Sequence, residues 1–453
     1  MLYTGKEKYR KNSLLILHQD DMKRRLKILL ILLSGILLFF IGKALLYGRW
    51  SSARRSVPPR IELTYEDAMA YGTLTPLEIA THYAPEVHAA VNVLISSSGK
   101  GDFISAVDFD GDMSAQNNWE HMPDCPLPAV VYWSLQETDA YYFVGYDFYH
   151  PRDDDEIWLD KHENDFEGIM LAVPKAESAF LPPVCMYTQG HGDVYFCGDG
   201  LAVTADSHYG GKLALDGDHP VVYITPNGTL SHAGHSIESD AGHSLYWSVG
   251  NSGIRYYHGG EAQTPLTFKG PYDSNPCSYR LEPLLSLWAH RNGPYGERHI
   301  FASYGAFAGD NYRANAANPA WAWRNKTVFG FSGSFLSDPA WTFSRAISNM
   351  AFPADYVLNP YADWKITVQS VQVPEGKRIS TLRLWQDEWL ISTPDWWNIA
   401  DNGAVEIAGD RRISLWIAAP RNTIWRLEAI DPDGAVIPDA ILQWSAELMP
   451  MFE

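Results

Sequence analysis

Residues 28–41 read ILLILLSGILLFFI, a stretch without one charged side chain, and a run this apolar has to leave water. With Lys43 reaching the interface and Ala44–Tyr47 continuing the pattern, about 20 residues are available for a hydrocarbon core of about 30 Å. The spacing predicts one transmembrane helix over 28–47. Lys23, Arg24, Arg25 and Lys27 stand directly before it. A basic N-terminal flank favours a cytoplasmic N-terminus and an extracytoplasmic body, whether periplasmic, luminal or extracellular. The segment before the run is long for a signal peptide and no small-x-small site follows Tyr47, so a signal-anchor fits better than a cleaved leader.

The rest of the chain has the opposite charge. Residues 1–60 hold 13 Lys and Arg against 3 Asp and Glu, which leaves 22 against 51 in the remainder. A body that acidic offers no basic face for a polyanion, which excludes nucleic acid as a partner. Four cysteines, Cys125, Cys185, Cys197 and Cys277, all lie beyond the apolar run. An even count there suits an oxidising compartment, and Cys185 and Cys197 flank a Gly190/Gly192 turn. The expected disulfides are therefore Cys185–Cys197 and Cys125–Cys277, with four buried free thiols as the alternative.

With 35 Gly and 28 Pro among 453 residues and 13% aromatics, the texture is that of a turn-rich, mainly β protein. Strands are expected at 129–134, 140–149, 166–173, 184–186, 194–197 and 220–225, and helices at 76–83, 281–290 and 339–347. After Asn359-Pro360, clear alternation predicts strands at 364–373, 379–384, 413–418 and 423–430. The expected organisation is a cytoplasmic 1–27, the membrane helix 28–47, a linker 48–61, a β-sandwich with peripheral helices over 62–361, and a C-terminal β-rich extension over 362–453.

Chemistry concentrates between Tyr146 and Val173. Asp165 and Glu167 are two apart at the start of an apolar run, so in a strand both carboxylates share one face. His162 precedes them in the incoming loop, and Asp153 closes the previous strand. A hairpin would gather Asp153, His162, Asp165 and Glu167, three oxygen donors and an imidazole, a set that suits Mg²⁺, Mn²⁺ or Ca²⁺ better than a closed zinc site. A solvated acidic loop is the alternative.

The run Tyr-x-Phe-Tyr-x-Pro-Arg-Asp153 followed by His162-x-x-Asp165-x-Glu167 resembles the central motif of the necrosis-inducing protein family, WYFPKD then GHRHDWE. That resemblance implies a β-sandwich binding a divalent cation through Asp153, His162, Asp165 and Glu167. A second resemblance, to the vacuolar-protein-sorting protein 62-like family, rests on Tyr83-Ala-Pro85, Asp108-Phe-Asp-Gly-Asp112, Asn118-Trp-Glu120, the same motif, His219-Pro-Val-Val-Tyr223 and Ser231-His232-Ala233. Departures from the necrosis-inducing motif are Asn164 for its second His, Phe166 for its Trp, and one extra residue between Asp153 and His162.

Asp108–Asp112 has alternating carboxylates but its Gly is misplaced for an EF-hand, so a self-capping turn is equally expected. His232 and His235 are candidates for a proton-transferring base, and no nucleophile elbow, Walker loop or dinucleotide fingerprint is present. The function expected from the sequence is a membrane-anchored module whose divalent cation binds a glycan or lipid head group. The alternatives are a metal-dependent hydrolase and a structural envelope protein.

Overall fold

The computed structural model describes residues 60–92, 97–154, 161–190, 193–205, 207–227, 234–239, 252–266, 275–292, 300–323, 331–392, 394–407 and 412–451, with four positions near the N-terminus. The expected membrane helix at 28–47 lies outside the described residues except at Ile31, Ser34 and Gly35. Among the described residues no helix is long and apolar enough to cross a membrane.

The chain is mainly β. Its first core strand, β1 (Glu86–Ala90), follows a helix at Pro76–His82 that starts where Thr75 and Glu78 cap each other reciprocally and Pro76 presets the first turn. Then come β2 (Val130–Thr138), β3 (Tyr141–Asp153), β4 (His162–Pro174), β5 (Cys185–Gly190) and β6 (Asp193–Cys197). These belong to one 13-stranded sheet whose path runs Ile237–Glu238, His219–Ile224, β1, Gly253–His258, Pro276–Pro283, β2, β3, β4, β5, β6 and His208–Gly211, with Tyr356–Leu358 beside β2 and Leu215–Asp216 beside His219–Ile224 off that path. The sheet curls into half a barrel, which corrects the two-layer sandwich expected for 62–361. Twist accumulating in one direction makes so wide a sheet curl onto its own inner face. Helices Ser334–Ser337 and Pro339–Ala346 add buried Phe335, Leu336 and Phe343 to that core.

Two further differences concern local pattern. The expected helix over 281–290 is split: strand pairing with β2 holds Pro276–Pro283 extended, and only Leu285–Trp288 turns into helix. His162 is the first residue of β4, paired with Asp153, where a loop was expected.

All four cysteines are free thiols, which overturns both expected disulfides. The β5–β6 register explains the first: Met186 faces Cys197 and Gly190 faces Asp193, so Cys185 is one residue out of step. One step in a strand is one change of face, which sends the two sulfurs to opposite sides of the sheet. Burial pushes the Cys197 thiol up to about 11 and Cys277 to about 12, and raises Cys185 well above its usual value as well. Peptide mapping without reductant should therefore recover four alkylatable cysteines after denaturation, with half-buried Cys125 reacting first in the native state. A recovered 185–197 cross-link would contradict the register.

At the outer end of β1, Glu86 accepts from Arg60 and Arg255, each at 2.6 Å, and from His88. Burial alone would push its carboxyl up, but His88 and Arg255 more than offset this and hold it at about 2. A lowered carboxylate stabilises the fold above its unfolded value near 4.5 and loses that contribution as pH falls through 2. The term is on the order of 3 kcal/mol. Acid unfolding of Glu86→Gln should thus be flatter than wild type between about pH 4.5 and 2, measured by urea melts across that range.

Residues 364–448 carry two three-stranded sheets, Ser414–Ile417/Trp364–Gln372/Ile441–Leu448 and Trp389–Leu390/Thr381–Gln386/Trp425–Ile430, and a two-stranded pair, Trp397–Ile399 with Val405–Ile407. Their own apolar core includes Trp396, Trp397, Leu382 and Leu415, and extends to Phe331 and Trp341.

Candidate metal centre

Asp153 and His162 end the long β3–β4 hairpin as a register pair, and both are buried. His162 Nδ1 lies 2.7 Å from the carbonyl oxygen of Asn164. A carbonyl can only accept, so Nδ1 carries the proton and Nε2 keeps its lone pair. That nitrogen faces Asp153 Oδ2 at 3.7 Å, too far for a hydrogen bond. A lone-pair nitrogen and a carboxylate oxygen side by side, with the far nitrogen fixed by a backbone acceptor, is the donor arrangement of a metal-ligating histidine. Asp153 and His162 thus offer two donor atoms side by side, but among the described residues they form no group of three whose ligand atoms lie within 4.8 Å of one another.

Asn164 is what turns the strand at this point. It is fully buried with φ +62°, a left-handed conformation that Asn tolerates better than most residues. Its amide donates to the carbonyls of Ala115 and Ala308, and its side-chain oxygen accepts from Asn118 and Tyr149. Four hydrogen bonds thus pin the strand at Asn164 to Tyr149 of β3, to Asn118 at the start of a short helix, and to the backbone at Ala115 and Ala308.

Beyond Asn164 the pleat resumes. Asp165 and Glu167 share a face, opposite His150 and Phe148 on β3. Asp165 Oδ1 accepts from the Phe166 amide, and Oδ2 lies 2.7 Å from His235 Nδ1. His235, in the turn before Ile237, stacks flat on His150 with centroids 3.6 Å apart and directs Nε2 toward Asp102 at 3.5 Å. Burial would strip its proton, but Asp102 and Asp165 hold it up to about 10, and the charge of Asp153 acts in the same direction. Burial and the His235 charge keep His150 neutral. Gly234 is required by close approach: a Cβ there would stand 2.7 Å from Asp153 Oδ1.

Asp153 and His162 therefore stand together at the hairpin end, while Asp165 meets His235 in company with two groups not foreseen, Asp102 and His150. Glu167 is buried two residues deeper on the Asp165 face. His235 is present but fully enclosed between carboxylates, and His232 lies outside the described residues. Asp102 lacked any sequence signal, because its partners His235 and the Asn227 amide are 133 and 125 residues away.

A second acidic group was also missed. Ligand atoms of Glu120, Glu163 and Asp310 lie within 4.8 Å of one another. Glu163 spends both oxygens on the amides of Trp119 and Asp310, Glu120 accepts from Asn311, and the Arg152 guanidinium lies over the Trp119 ring. These bonds tie two loops to β4. At Asp108–Asp112 the carboxylates cap local amides, Asp110 that of Asp112 and Asp112 that of Ser114, the self-capping turn. Asn227, the first residue of an Asn-Gly-Thr sequon, is fully buried and accepts from the Asp154 amide, which leaves no room for a glycan there.

No family model matches the sequence, and no curated protein matches it. Solved structures similar in part are of the necrosis-inducing toxin fold. One described as "NLPPya in complex with mannosamine" is 13% identical, covers 54% of this chain and 89% of that one, and has a TM-score of 0.26. "NLPPya in complex with glucosamine" is 15% identical, over 42% of this chain and 76% of that one, at 0.24. "Crystal structure of Necrosis and Ethylene inducing Protein 2 from the causal agent of cocoa's Witches Broom disease" is 14% identical, over 39% and 77%, at 0.20. Values this low carry no residue role from those proteins to this chain.

Proposed function

We propose that this protein is a divalent-cation-dependent binding module, held at a membrane by residues 28–47 with its body outside, that takes up a glycan or lipid head group. The observation that carries the reading is the Asp153–His162 pair, a buried carboxylate facing an imidazole lone pair across the end of a rigid hairpin. Asp165 and Glu167, the next carboxylates along β4, would complete the ligand set. When bound, Mg²⁺, Mn²⁺ or Ca²⁺ would offer open coordination positions to diol or phosphate oxygens. The side chains supply the rest: His162 is oriented by Asn164, and the imidazolium of His235 offsets part of the charge of Asp102 and Asp165, which would otherwise be buried uncompensated.

A hydrolytic reading needs a base able to reach a bound water. His235 has carboxylates at both nitrogens and no exposed side-chain surface, so it does not favour that reading. The test is retention on immobilised glucosamine and mannosamine, and on vesicles bearing inositol-phosphate head groups, with Mn²⁺ or with chelator. Metal-dependent retention is expected on at least one surface. Retention that is absent on all of them, or unaffected by chelator, would contradict the proposal.

A further inference from the structure

Residues 60–64, the first described after the linker, lie along the edge of the body that carries His82, His219 and His258. The Arg60 guanidinium reaches Glu86 at 2.6 Å and Asp216 at 3.0 Å, and the Ile61 amide donates to the carbonyl of His258 at 3.0 Å. Two histidines then hold the next residues. His82 sets Nδ1 2.8 Å from the Leu63 carbonyl and Nε2 2.9 Å from Asp218. His219 sets Nδ1 2.7 Å from the Ala84 carbonyl and Nε2 3.1 Å from Glu62.

Every one of these four oxygens is an acceptor. A neutral imidazole has one N–H and satisfies one of its two oxygens, leaving a lone pair aimed at the other; an imidazolium satisfies both. We propose that residues 60–64 form a proton-operated strap, held to the body when His82 and His219 both carry two protons and loosened between Arg60 and the helix Tyr65–Ala68 when they lose them.

The groups around the two rings fit this role. His82 stacks on Phe180 at 3.8 Å, meets Tyr83 edge-on, and lies 6.4 Å from His219. The repulsion between two charged rings at that distance is opposed by Asp218 on one side and Glu62 on the other. His258 faces His219 and does not add charge, because burial first, and the His219 charge further, pull it down to about 4. Arg60 keeps its ion pairs whatever the state of the imidazoles, so the loosened span lies between two fixed ends.

The experiment is amide hydrogen exchange on the full-length protein at about pH 5.5 and about pH 8, a range that brackets imidazole titration, with rates corrected for intrinsic pH dependence. The protection factor of the Ile61 amide is expected to fall by about tenfold or more toward the higher pH, while the amides of β1 hold steady. In His82→Gln/His219→Gln the Ile61 protection should be low at both. Unchanged wild-type Ile61 protection, a parallel fall throughout β1, or a pH dependence that survives in the double variant would each overturn the strap. If the double variant does not fold, the wild-type profile with β1 as reference decides alone.

Discussion

Asp153→Asn is expected to weaken divalent-cation binding by at least about a hundredfold, since changing a group that only orients a ligand already costs 10–100-fold. The substitution is nearly isosteric, keeps the contact with Gly234 and opens no cavity, so the metal-free fold should survive. Its direct effect on stability has no large term of one sign. Removing one charge relieves repulsion from Asp102 and Asp165, and also removes part of the field that holds the His235 proton. Loss of linkage is the visible change. Ligand at a hundred times its dissociation constant stabilises the folded state by about 2.7 kcal/mol, so chelator should lower the wild-type Tm and leave Asp153→Asn nearly unmoved. Equal responses to chelator would show that Asp153 holds no ion.

Arg291→Ala is expected to cost about 3–5 kcal/mol, the range for breaking one side of a buried ion pair. Arg291 Nη2 lies 2.6 Å from Asp363 Oδ1, its guanidinium stacks on Trp288 at 3.8 Å, and Asp363 also accepts from the Tyr304 hydroxyl. The Asp363 backbone bonds to Ile417 and Met449, so this carboxylate sits where the curled sheet meets the C-terminal strands. Without Arg291, Asp363 would be a buried charge left with the Tyr304 hydroxyl and the more distant Arg421 guanidinium at 3.9 Å. Urea unfolding measures the loss, and a change under 1 kcal/mol would mean that water reaches the carboxylate.

Much of the β pattern was legible because alternation reports which face of a strand is buried. Each of the ten expected strands overlaps an observed one, some with ends a few residues short, as at 140–149 against Tyr141–Asp153, whereas strands such as β1, Gly253–His258 and Ile441–Leu448 were not foreseen. Pairing carries a strand on through polar residues such as Arg152 and Asp153 that pattern alone assigns to a loop. The Thr75–Glu78 capping box and the Pro339 start marked their helices for the same local reason. Sheet closure was not legible: a sandwich and a curled sheet share the same alternation, and only the order of pairing separates them. The disulfide expectation failed on one residue of register, which composition cannot fix. At the β3–β4 hairpin, spacing singled out Asp153, His162, Asp165 and Glu167, whereas Asp102 and His150 are brought against His235 by long-range packing that spacing does not report. His235 was singled out for its neighbour His232, yet its place is given by Asp102 and Asp165. Trp396 and Trp397 are core residues of the C-terminal strands.

The most direct measurement is manganese titration of the purified protein, followed by the paramagnetic resonance of free and bound Mn²⁺, in wild type, Asp153→Asn, His162→Gln and Glu163→Gln. One ion per chain is expected in wild type and in Glu163→Gln, with the bound signal lost in the other two. No bound manganese in wild type, or an ion that survives Asp153→Asn and His162→Gln but disappears with Glu163→Gln, would contradict a centre at the end of the β3–β4 hairpin.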